Sequence, residues 1–117
     1  MTSASHLWKV RLSNAAEADF EGILLWTADR FGEEQADLYK GILRSAIASL
    51  RAGPSIAGAR PRPDIAKGLH SLHAARERNR ARHLVLFHID GEMRIEIVRI
   101  LHDSMDLQRH LSLDDEK

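Results

Sequence analysis

The chain of 117 residues contains no cysteine. That excludes a disulfide framework, a CxxC redox pair and a thiolate zinc site. Long hydrophobic runs are also missing: the greasiest stretches are short and broken by His, Arg or Glu, far below the roughly 18 apolar residues of a membrane span. The opening Met1-Thr2-Ser3-Ala4-Ser5-His6-Leu7-Trp8 lacks the basic-then-apolar pattern of a signal peptide, so a cytoplasmic location is expected. None of the seven glycines sits in a GxGxxG or GK[ST] phosphate loop, and no GxSxG elbow is present. Net charge is absent too, since 17 Lys and Arg balance 17 Asp and Glu. Overall charge therefore points to neither nucleic acid nor membrane.

What is present is an ordinary globular balance, 44% hydrophobic and 29% charged, in a length that suits one domain over residues 1–117. The charge is unevenly spread. Residues 60–82 carry Arg60, Arg62, Lys67, Arg76, Arg78, Arg80 and Arg82 against only Asp64 and Glu77. The segment before them is near neutral and the segment after them is acidic. Arg78, Arg80 and Arg82 would share one face of a strand, a row of planar donors suited to phosphate or to an acidic partner.

The first half reads as helical. Ser13 or Asn14 can cap a helix whose apolar stripe is Ala16, Phe20, Ile23, Leu24, Thr27 and Phe31, ended by Gly32. A second helix opens near Glu33 with the stripe Ala36, Tyr39, Leu43, Ala46, Ile47 and Leu50, and stops at Gly53-Pro54. Joined at one glycine, the two should form an antiparallel hairpin. A short strand is expected before them at Leu7–Leu12, and a loop at 53–65. Beyond the loop the period changes to two: a strand opening at Gly68, a stronger one over Arg82–Ile89, and one carrying Met93, Ile95 and Ile97. Asp90-Gly91 predicts a type I′ hairpin turn between the last two. A short helix is expected over about 104–111. The fold class is α+β, a helical hairpin packed on an antiparallel sheet. The Arg82–Ile89 strand is apolar on both sides, so one face should carry the helices and the other should be open to a partner.

Candidate chemistry is sparse. Seven histidines are many, but His70 and His73 would face opposite sides of a strand, and His102 with Asp103 and Asp106 is too loose a grouping for a ligand set. No metal or cofactor is expected. Trp26 lies beside the first helical stripe rather than in it and is the aromatic most expected on the surface.

Three stretches resemble ParE toxins of the RelE/ParE superfamily: Leu12–Ile23, Phe31–Tyr39, and Arg82–Phe87 continuing through Ile95–Asp106 with its "RILH..MD" close. The similarity covers about residues 8–110. It implies a type II toxin neutralised by a small ParD-like antitoxin, which would bind operator DNA on the toxin's behalf. The antitoxin would cover Trp26, Tyr39, Val85 and Phe87. Arg78, Arg80, Arg82, Arg99, His102 and Met105 are the candidates for contacting the target. In this superfamily ParE members poison DNA gyrase and RelE members cleave mRNA on the ribosome. A nuclease here would draw on Arg60, Lys67, Arg82, Arg99 and His102 or His110, but Tyr39 is the one tyrosine and no tyrosine lies near the C-terminus. Overall neutrality also suits an RNA cleaver poorly, because phosphate contacts dominate nucleic-acid affinity. The non-enzymatic gyrase branch is therefore favoured. A ribosome-dependent endonuclease and an inactive antitoxin-binding corepressor are the alternatives.

Overall fold

The computed structural model describes residues 7–74 and 83–102. In chain order they form β1 (Lys9–Leu12), α1 (Asn14–Phe31), α2 (Glu33–Ser49) with a 3₁₀ turn at Leu50–Ala52, β2 (Ala59–Pro61), β3 (His70–His73), β4 (His83–Ile89) and β5 (Arg94–His102). The strands lie in the order β1-β5-β4-β3-β2. Four of them pair antiparallel, and β1 joins β5 in parallel, which makes the sheet mixed. The parallel pair needs a crossover, and the helical hairpin forms part of the long connection between the two strands. Among the described residues no helix is long and apolar enough to cross a membrane.

Ser13 is the residue that starts α1. Its hydroxyl accepts the Ala16 N–H and donates to the Val98 carbonyl, both at 3.0 Å, so the cap also pins the helix to β5. Gly32, at φ 97°, returns its N–H to Ala28 and opens α2 directly. Gly53, at φ 115°, ends the 3₁₀ turn; a β-carbon there would sit 3.2 Å from the Trp8 indole nitrogen, so backbone angle and packing both call for glycine.

The core lies between hairpin and sheet. Ala16, Leu43, Ala46 and Leu50 meet Leu72, Val85, Phe87, Ile95, Ile97 and Ile100, all essentially buried. Each such large side chain contributes about 1.5–3 kcal/mol by leaving water. The opposite face differs from expectation. Leu84, Leu86 and Leu101 are not open to a partner: the segment between β2 and β3 folds back and buries them under Ile65 and Leu69. Arg62 anchors that flap through its backbone N–H to Leu69 and its guanidinium to Asp64 and Ser71. The stretch read as loop thus contains β2 and a covering layer.

Two further local differences have clear causes. The β4–β5 connection spans 90–93, with positive φ at Gly91 and Met93, rather than a two-residue turn centred on Asp90-Gly91. The Asp90 N–H bonds the Arg94 carbonyl and closes this longer loop. A register shift then follows: Leu86 pairs Arg99 but Phe87 pairs Ile97, leaving Val98 as an extra residue. Alternation continued from Ile97 would send Leu101 toward the hairpin. The bulge instead turns Ile100 inward and Leu101 outward. The helix expected at 104–111 lies outside the described residues.

Candidate functional site

A shallow open cleft of about 530 Å³ runs between α1 and the far end of the β4–β5 pair. Gly22, Ile23 and Trp26 form its helical wall, and His83, Arg99 and His102 its sheet wall. One residue ties the walls together. Asp19 accepts from Arg99 Nε at 2.7 Å and Nη2 at 3.1 Å, and from the Ile100 backbone N–H at 2.9 Å. Both side chains of this pair are more than four-fifths buried. A bidentate charge-assisted pair in that setting fixes orientation as well as adding energy.

Next to it, His83 and His102 stand directly opposite each other across β4 and β5, with ring centroids 5.3 Å apart and nearly perpendicular. Tyr39, from α2, shares a hydrogen bond with His83 Nδ1. The tyrosine that sequence reasoning placed in the helical stripe is thus half-buried and joined to the cleft through His83. Along the sequence His83 is only one of the histidines flanking the basic strip; strand register is what brings it to His102. Asp19 was legible only as an acidic residue of the first helical turns.

The hairpin's closed end is unusually apolar on its surface. Leu25, Trp26, Phe31 and Leu38 are each more than half exposed. Trp26 meets Phe31 edge-on at 5.8 Å, and the Arg30 guanidinium lies 5.1 Å over the indole. Trp26 is exposed as expected, whereas Phe31 leaves the buried stripe to join it. Contiguous exposed aromatics of this kind mark contact surfaces.

The remaining candidates are dispersed. Val85 and Phe87 are fully buried beneath the hairpin, so they present no surface for an antitoxin; the both-sides-apolar pattern of β4 reflects two covered faces. Arg60 and Lys67 are exposed, Arg60 on the edge strand β2. A register row runs Arg60–Ser71–Leu86–Arg99, putting the two arginine backbones about 14 Å apart at the usual strand spacing. The nuclease set is therefore not assembled around one point. His70 and His73 do lie on opposite faces, paired with Phe87 and Leu84. Arg78, Arg80, Arg82, Met105 and His110 lie outside the described residues. Away from the cleft, the Asp64 carboxyl is held below its ordinary range chiefly by the hydrogen bond from Arg62.

Residues 10–107 match the family described as ParE toxin of type II toxin-antitoxin system, parDE. The chain belongs to the ParE toxin family. Among curated relatives, Toxin ParE1 of Mycobacterium tuberculosis is 37% identical over 100 residues, 86% of this chain and 94% of the relative. Toxin ParE1 of Caulobacter vibrioides is 34% identical over 101 residues, 86% and 95% of the two chains. A solved chain from the chromosomal ParDE TA system from P. aeruginosa superposes with a TM-score of 0.69 at 21% identity, covering 83% of this chain and 97% of that one. At that identity the likeness speaks for the ParE fold, the same hairpin on a sheet.

Proposed function

We propose that this ParE-family chain inhibits DNA gyrase by binding it and trapping its cleaved-DNA state, and that a ParD-like antitoxin neutralises it by covering the Leu25–Trp26–Phe31–Leu38 surface and the adjoining cleft. The supporting observation is how the polar groups of the cleft are used. Phosphodiester cleavage needs an acid, a base and a cation arranged around a space that the phosphate fills. Here Arg99 is clasped by Asp19, and the rings of His83 and His102 touch edge to face, leaving no room for a phosphate between them. An apolar aromatic surface beside a braced polar cleft suits protein recognition. Operator DNA would be reached through the antitoxin.

Tyr39 next to His83 favours the RelE-like alternative, because it supplies the tyrosine missing from the C-terminal region. Two assays separate the readings. Purified protein should abolish gyrase supercoiling and raise cleavage complexes, while mRNA on translating ribosomes stays intact. Unchanged gyrase activity with cleaved mRNA, lost in Tyr39→Phe, would reverse the assignment. No growth inhibition on expression without antitoxin would point instead to a corepressor.

A further inference from the structure

At the opposite end of the sheet, a second open cleft of about 760 Å³ is lined by Lys9, Arg11, Arg51 and Arg94, with Asp90 as its single acid. Three separate segments supply the cations: β1, the 3₁₀ turn and the start of β5. Lys9 and Arg94 are direct register partners in the β1–β5 pair. Like charges so placed repel, so this arrangement costs stability unless an anion lies between them. The neighbouring pair shows the ordinary solution, with Arg11 bonded to Glu96 at 2.9 Å. Among the described residues, neither Lys9 nor Arg51 has a carboxylate partner. Arg94 is held in place: its Nε donates to the Asp90 carbonyl, and its guanidinium lies across Gly91, where a β-carbon would come within 2.5 Å. Trp8 and Leu7 add an aromatic and an aliphatic wall.

We propose that this cleft binds the phosphodiester backbone of a nucleic acid. Guanidinium groups offer planar paired donors that match phosphate oxygens, and Lys9 adds a mobile point charge. Trp8, half-buried against the core and beside Gly53, closes one side of the cleft and can report on its occupancy. The main competitor is an acidic peptide added along the edge of β1. Side chains stand roughly perpendicular to a sheet, so Lys9 and its register partner Arg94 reach a ligand lying against the sheet rather than one extending the edge of β1. The site is distinct from the Trp26 cleft, so its occupancy can be tested without gyrase or antitoxin.

The test measures binding of fluorescein-labelled duplex DNA, single-stranded DNA and RNA by anisotropy over a salt series. A Trp26→Phe background leaves Trp8 as the sole tryptophan reporter. Binding of at least one nucleic acid, with Trp8 fluorescence changing, is expected. The Lys9→Gln/Arg51→Gln variant should bind about tenfold more weakly at low salt. Its log–log salt slope should fall by about 2, close to one for each phosphate no longer neutralised. Arg60→Gln/Lys67→Gln, in β2 and the flap that follows it, should bind as the parent does, with circular dichroism confirming that both variants fold. No binding by the parent, equal binding by the Lys9/Arg51 variant, or binding of polyglutamate in place of every nucleic acid would overturn the proposal.

Discussion

Asp19 and Arg99 are 80 positions apart in the chain, yet they form the bidentate pair that joins α1 to β5. The bulge at Val98 makes this pairing geometrically available, because it re-aims the residues that follow it. The same carboxylate also takes the Ile100 N–H, so one side chain organises helix, strand and cleft.

Removing that carboxylate takes away an acceptor shared by a largely buried guanidinium and a backbone N–H. Asp19→Ala is expected to lower stability by about 2 kcal/mol, in the range for hydrogen bonds to charged groups. Arg99→Ala should cost a similar amount, and the double variant clearly less than the two together. Urea denaturation with an unchanged m-value is the measurement; strict additivity would mean that the two side chains do not interact.

Trp26 should behave oppositely. Exposed on α1 against Phe31, it is expected to change stability by no more than about 0.5 kcal/mol when replaced by alanine. Antitoxin affinity should nevertheless fall by about 30-fold or more, as for a central aromatic anchor. Calorimetric titration of the antitoxin into Trp26→Ala and Phe31→Ala distinguishes the two effects.

Phe87 lies at the centre of the core, stacked on His70 and packed beneath the hairpin. Phe87→Ala should cost about 3–5 kcal/mol through reduced burial and the cavity left behind. Thermal unfolding would reveal it, and any drop in antitoxin affinity should be recovered at temperatures where the variant is folded.

The Arg62–Asp64 pair has a pH signature. Asp64 titrates below the ordinary aspartate range because Arg62 bonds its charged form, so its contribution is present at neutral pH and disappears as pH falls through the depressed value. In Arg62→Ala the Asp64 carboxyl, followed by NMR, should return to the ordinary range. The flap over Leu84 and Leu86 should also exchange its amide hydrogens faster.

Helix positions, the Ser13 cap, the Gly32 junction and the α+β class were legible because each depends on local chemistry: capping hydroxyls, a 3.6-residue period, a glycine where φ turns positive. Strand β4 was legible as a strand but not as to what covers it. An apolar residue looks the same in sequence whether a helix, a flap or a partner buries it. Val85 and Phe87 therefore read as surface and are core, while Phe31 reads as stripe and is surface. The bulge was invisible because a one-residue register shift leaves no mark on composition.

Charge shows the same division most clearly. By itself the sequence determined that positive and negative residues are equal in number and that residues 60–82 are locally basic. It also determined the family, through motifs spread along nearly the whole chain. Only tertiary structure decided which charges meet. Arg99 finds Asp19 across helix and strand, Arg11 finds Glu96 across β1 and β5, and Lys9, Arg51 and Arg94 converge from segments that look neutral or acidic along the chain. Coulomb energy depends on separation in space, and strand register brings together residues that sequence distance keeps apart.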